Sequence, residues 1–207
     1  MVTNIQIQQE NNKYVTSFRI LTGKMDSPHI DSIAGMVFTV RMGTMDDYII
    51  SELILNDTYK LQNAKSILGY DPNTIVDLGA HIGGFTRLAD MLYPESNIYA
   101  FEANKENFLL LRQNTMDCLY SKNLKIRNTI VCGDTPPAGF YEDRERELTA
   151  HAGEVLNTGG IRVLYEKDKT SDLEYTTLER IIDENKLSSI DFLKMDIEGS
   201  EYQVLEH

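Results

Sequence analysis

The sequence predicts an α/β fold built on a mostly parallel sheet with helices on both faces. From residue 74 onward, short and nearly continuous apolar runs alternate with helical patterns, as expected of strands buried on both faces and joined by crossover helices. The first run breaks into a glycine loop, TIVDLGAHIGGFT, which feeds directly into the helical spacing of Phe85, Leu88, Ala89 and Leu92. The second run ends on an acidic residue, Glu102, roughly 20 positions beyond the loop, the separation at which a strand-tip carboxylate meets a ribose.

Taken in order, residues 1–70 read as an N-terminal extension packing on a core domain of residues 71–207. Within the extension VFTVRMG (37–43) alternates like a half-buried strand. TMDDYIISELIL then reads as a helix whose Thr44 and Asp47 form a capping box. TIVDL (74–78) is the first core strand, and its helix starts near Gly84 and stops at Pro94. NIYAFE (97–102) is the second strand, and KENFLLLRQNTMDCLY places Phe108, Leu111, Thr115 and Cys118/Leu119 on one helical face. IRNTIVC (126–132) is the third strand. Residues 134–175 hold many glycines, prolines and charges and read as an excursion over the site, with a short strand or hairpin near GFY and IRVLY. TTLERIIDENKL turns Leu178, Ile181 and Ile182 to one face, and IDFLKMDI (190–197) is the fourth strand. Strand, helix, strand, repeated, implies right-handed crossovers.

Composition narrows the function. Twenty basic against thirty-two acidic residues give 207 residues a formal charge of -12, which repels nucleic acid and anionic lipid in the absence of a basic run. Two cysteines, Cys118 and Cys132, build no disulfide framework, and no paired Cys or His spacing suggests a metal site. The polar first twenty residues and the lack of a long apolar run point to a cytoplasmic protein.

The glycine loop separates three cofactor classes. A dinucleotide fingerprint aligned on Gly79 and Gly84 requires glycine where His81 stands, which argues against NAD or FAD. A phosphate loop in the same alignment requires lysine where Phe85 stands. What remains is a loop needing close backbone approach at Gly79 and Gly83, with Asp77 in the strand before it and Glu102 on the next strand. That set suits a zwitterionic, cationic cofactor, S-adenosylmethionine.

VDLGAHIGGFT, YAFEANKENFLLLRQN and DFLKMDIEGSEYQVLE, in that order and spacing, together with the upstream MGTMDDYIISELI, resemble the FkbM-type family of S-adenosylmethionine-dependent methyltransferases. The resemblance implies a Rossmann-like class I methyltransferase fold and O-methylation of a small-molecule or sugar hydroxyl. It implies that Asp77, Gly79 and Gly83 shape the methionine end of the pocket, that Glu102 holds the ribose and that Gly133 and Asp134 sit near the adenine. Ala80, His81, Phe85 and Ala103 flank these positions and complete the expected cofactor pocket; family members often carry asparagine at His81. The family pattern continues beyond the fourth strand, whereas this chain stops at VLEH and reads as truncated there. A cofactor-binding but catalytically incomplete fragment and a non-catalytic interaction domain are the alternative readings.

Methyl transfer from a sulfonium is an in-line displacement, so the protein orients the acceptor oxygen and takes its proton. Asp196, ending the fourth strand, is the first candidate for that contact, because ligands of parallel sheets lie outside the carboxyl ends of the strands. Glu198, two residues on and on the same side if extension continues, is the second, as base or jointly with Asp196 as a cation ligand. His81 is a third candidate base. The uncovered edge of the fourth strand also predicts a homodimer.

Overall fold

The computed structural model describes residues 9–10, 14–19, 36–41, 43–116, 118, 123–135, 137, 139–142, 161–164 and 174–206. Strands β1 (Gln9–Glu10), β2 (Tyr14–Arg19) and β3 (Val37–Arg41) form a small antiparallel sheet, followed by helices α1 (Asp46–Asn56) and α2 (Ala64–Leu68). The core then alternates as expected: β4 (Thr74–Leu78), α3 (Gly84–Leu92), β5 (Asn97–Glu102), α4 (Lys105–Thr115) and β6 (Leu124–Asn128). Beyond it come β7 (Ile130–Val131), β8 (Gly139–Glu142), β9 (Ile161–Leu164), β10 (Tyr175–Thr176), α5 (Leu178–Asn185), β11 (Phe192–Met195) and α6 (Glu201–Leu205). The central sheet runs in the order β11-β4-β5-β6 and is parallel throughout. The α/β class and the place of the fourth predicted strand beside the first are therefore as read from sequence.

Alternating side chains sort onto two apolar layers, which is why the strands read as continuous apolar runs. Ile75 and Ile98 face Phe85, Leu88 and Ala89 of α3 and Leu110 of α4. Val76, Leu78, Tyr99 and Phe101 face Ile181 of α5 and Val204 of α6. The first layer is completed by the N-terminal segment, whose Phe38, Val40, Ile50 and Ile54 are buried in it. Each such side chain stabilises by about 1.5–3 kcal/mol. Asn114 on α4 fixes the orientation of β3: its Oδ1 accepts from Thr39 N at 2.7 Å, and its Nδ2 donates to the carbonyls of Thr39 and Ile82 at 3.0 and 2.9 Å.

Four local expectations are revised. IRNTIVC is two strands, not one. Asn128 Nδ2 donates to the Glu102 and Ala103 carbonyls at 2.7 and 3.0 Å, and Thr129 Oγ1 donates to the Glu174 carbonyl at 3.0 Å. These bonds swing the chain off β5, so that β7 pairs in parallel with β10. Helix α4 ends at Thr115, whose hydroxyl donates back to the Leu111 carbonyl at 2.7 Å, and Cys118 lies beyond it. The Thr44/Asp47 capping box does not form. Met45 occupies the cap position, Thr44 Oγ1 instead accepts from Asp46 N at 3.3 Å, and Asp47 accepts from Tyr48 N at 2.9 Å. The extended chain expected through residue 197 stops at Met195.

The GFY and IRVLY segments do form an antiparallel hairpin, β8 with β9. Leu119 and most of the excursion of residues 134–175 lie outside the described residues. Among the described residues β11 pairs with β4 alone, and no helix is long and apolar enough to cross a membrane.

Among the described glycines the tightest backbone approach is at Gly79, just after β4, where a Cβ would stand 1.9 Å from the Asp196 carbonyl oxygen and φ is +79°. Gly69 shares a positive φ of +82° but faces open space. Gly79→Ala is expected to cost about 3 kcal/mol or more, and Gly69→Ala about 1 kcal/mol, the backbone contribution alone. Chemical denaturation of both variants measures this, and equal losses would contradict the close approach.

Candidate active site

The β4–α3 turn is held from beneath. Gly79 N and Ala80 N both donate to the Phe101 carbonyl at 2.9 Å, tying the turn to β5. The chain then takes left-handed conformations at His81 (φ 51°) and Gly83 (φ 94°). Behind the turn lies Asp77, fully buried, whose Oδ2 accepts from Thr86 Oγ1 at 2.6 Å. Lys194 Nζ stands 3.1 Å from Asp77 Oδ1 and donates to the Gly79 carbonyl. Asp77 and Lys194 are register partners on β4 and β11, so the parallel pairing itself brings the two charges together.

Glu102, at the tip of β5, is buried beside the turn. Its Oε2 accepts from His81 N and its Oε1 from Asn104 N, both at 2.8 Å. Burial pushes its carboxyl up to about 7, against these hydrogen bonds, which favour the ionised form. His81 Nε2 lies 3.5 Å from Asp46 Oδ1, and burial pushes the imidazole down to about 4 although Asp46 opposes the shift. Asp46 is itself fully buried and gripped by Arg41, whose Nε and Nη2 donate to its two oxygens at 2.9 Å each. Arg41 Nη2 also donates to Asn107 Oδ1 at 2.7 Å. A polar chain thus runs from the N-terminal segment through His81 to Glu102.

A cavity of about 320 Å³ opens at the carboxyl ends of the strands. Of the sequence-predicted residues it brings together Gly79, Ala80 and His81 from the turn, Phe85 from α3, Glu102 at the tip of β5 and Ala103 just after it, and Asp196 and Glu198 after β11. Asp77 and Gly83 stand behind its wall. A Cβ on Gly83 would come within 2.9 Å of Leu111, so that glycine serves helix packing. Gly133 and Asp134 line a separate cavity of about 170 Å³ with Cys132 and Gln203. There a Cβ on Gly133 would stand 2.6 Å from the Gln203 carbonyl. The third-strand wall of the main cavity is instead Thr129, Ile130 and Val131.

Asp196 is exposed at the cavity mouth, and its Oδ2 accepts from the Tyr59 hydroxyl at 2.6 Å. Burial, then this bond, raises the tyrosine hydroxyl well above its ordinary range. Glu198 takes a left-handed φ of 51°, so it reaches the cavity by a turn and not by continued extension. The turn is stabilised by Glu201, whose carboxylate accepts from Ile197 N and Gly199 N at 3.1 and 2.8 Å. Sequence reasoning missed Tyr59, Asp46 and the role of Lys194. Only for Lys194 did a signal exist, a lysine two positions before Asp196 in an otherwise apolar strand.

The profile described as the methyltransferase FkbM domain matches residues 77–207. Methyltransferase sdnD of Sordaria araneosa is 26% identical over 181 residues, which cover 77% of this chain and 67% of that protein. The 31-O-demethyl-FK506 methyltransferase FkbM of Streptomyces tacrolimicus is 26% identical over 151 residues, covering 64% of this chain and 58% of that protein. The chain thus spans about two thirds of the length of one relative and less of the other. No solved structure matches.

The two shifted groups set opposite pH dependences. With its carboxyl raised from 4.5 to about 7, Glu102 favours the fold below pH 4.5, and that contribution is lost as pH rises through 7. With its imidazole lowered from 6.5 to about 4, His81 favours the fold above 6.5, and that contribution is lost as pH falls through 4. Relative to the parent, Glu102→Gln is therefore expected to gain stability as pH rises across its window, and His81→Asn as pH falls across its own. Each gain is on the order of 3 kcal/mol. Denaturant titrations across this range check both signs, and parallel profiles for parent and variants would contradict the assignment.

Proposed function

The chain belongs to the FkbM methyltransferase family, and from that premise we propose that it transfers a methyl group from S-adenosylmethionine to a hydroxyl oxygen of a small molecule or sugar. The observation that carries the proposal is a single cavity, at the carboxyl ends of β4, β5 and β11, that holds the Gly79 turn, Glu102 and Asp196 together. The chemistry supplied by S-adenosylmethionine when bound is an electrophilic methyl group on a positively charged sulfur.

The residues present suit that cofactor. Glu102 retains acceptor lone pairs after its two backbone bonds and a longer one from Asn107 Nδ2 at 3.4 Å, which suits ribose hydroxyls, and its ionised form favours a cationic ligand. Phe101, Ile130 and Val131 provide apolar wall for a flat base. In this reading Asp77 does not touch the cofactor; it is neutralised by Lys194 and keeps the turn in shape. Asp196 is assigned the proton of the acceptor hydroxyl, and its orientation is supported by the Tyr59 bond. Glu198 is assigned a second carboxylate contact with the acceptor.

Calorimetric titration with S-adenosylmethionine tests the cofactor. The parent is expected to bind, and Glu102→Ala to weaken binding by about 1–3 kcal/mol, the loss of charge-assisted hydrogen bonds; unchanged affinity would place the ribose elsewhere. Asp196→Asn is expected to lower turnover by about 100-fold or more while lowering cofactor affinity far less. Equal losses in both would make Asp196 a cofactor ligand and not the base.

A further inference from the structure

Helix α1 turns one face to the cavity. Met45 at its cap and Tyr48, Ile49, Glu52 and Leu53 within it line the wall at helical spacing, with Ile50 beside them. Tyr48 remains 58% exposed there, an aromatic surface with little protein covering it. Tyr59, shortly beyond the helix, continues this wall to the candidate base, since its hydroxyl holds Asp196 at 2.6 Å. The Tyr59 ring is fixed edge-on against Phe85, with centroids 5.7 Å apart. This wall is therefore adjacent to the point where an acceptor hydroxyl must lose its proton.

Among the described lining residues carboxylates outnumber cations. Glu52, Asp196 and Glu198 all line the cavity. Among its described lining residues the lysine is Lys194, and its ammonium is already committed to Asp77 at 3.1 Å and to the Gly79 carbonyl.

Resting on the methyltransferase reading, we infer that the acceptor is seated between α1 and the end of β11, in a subsite that takes an uncharged or cationic hydroxyl compound with an apolar face and rejects phosphorylated or carboxylated ones. The apolar stripe of Tyr48, Ile49 and the Tyr59 ring receives the hydrocarbon part of the acceptor. The carboxylates receive its hydroxyls or an ammonium and repel an anion brought to the cavity mouth. Glu52 is then the residue that sets charge specificity, because it stands on the exposed flank of α1 away from the buried ion pair.

Three probes sharing one alkyl chain test this by calorimetry on the full chain, both bare and loaded with the demethylated cofactor: octyl glucoside, octylammonium and octyl phosphate, each below its micelle concentration. Octyl glucoside and octylammonium are expected to bind, with octyl phosphate weaker by about tenfold or more. In Glu52→Lys the gap between octyl phosphate and octyl glucoside is expected to narrow severalfold. Octyl phosphate binding as tightly as octyl glucoside to the parent overturns the charge selection. An unchanged gap in Glu52→Lys overturns the placement against α1, and failure of all three probes overturns the apolar subsite. Failure of the methyltransferase reading shows separately, as a parent chain that takes up no S-adenosylmethionine.

Discussion

The ammonium of Lys194 lies under the tips of β4 and β11, and the geometry of the cavity depends on it. Its pairing with Asp77 neutralises a carboxylate that would otherwise stand alone in the core, and its bond to the Gly79 carbonyl holds the turn above. Removing either partner of such a buried pair leaves an uncompensated charge, a loss of about 3–5 kcal/mol. With β11 held against β4, the Asp196 backbone crosses so near Gly79 that no side chain fits there. The glycine is thus a consequence of strand pairing. The Lys194 ammonium also lies 5.4 Å from the centroid of the Tyr59 ring, which links the N-terminal segment to the same point.

That segment is a structural part of the site. Its apolar side chains complete one layer of the core, and its polar ones reach the turn: Arg41 clamps Asp46, Asp46 faces His81, and the His81 amide meets Glu102. Arg41 also bonds Asn107 on α4, so a single guanidinium spans β3, α1 and α4. The left-handed turn at His81 is stabilised from both sides, by the Glu102 carboxylate at its amide and by Asp46 at its ring. An asparagine, which tolerates this conformation well, preserves the first contact and loses the reach of the second.

The reading of the sequence held where one physical signal dominated. TIVDL and NIYAFE are apolar on both faces because both faces are covered by helices, and their predicted bounds match β4 and β5. It failed where a tertiary bond competed with local pattern. IRNTIVC is as apolar as its neighbours, yet the Asn128 and Thr129 side chains bond to distant backbone and divert it. The role of Asp77 also changed with context. In the sequence it is an acidic residue just before a glycine turn, and only the pairing register shows that a lysine more than a hundred residues later neutralises it.

Periodicity, turn chemistry and the acid at the second strand tip by themselves determined the parallel sheet, the place of the glycine turn and the end of the sheet where a ligand belongs. These signals are local, written within a few residues or within one crossover unit. Tertiary structure alone decided which polar groups line the cavity and which support it. It brought Tyr59 to Asp196 across 137 positions, set Asp46 against His81, and moved Gly133 and Asp134 to another cavity. The physical reason is that burial and hydrogen bonding depend on what packs across the sheet, and residues far apart in the chain carry no mutual periodicity that would announce their meeting.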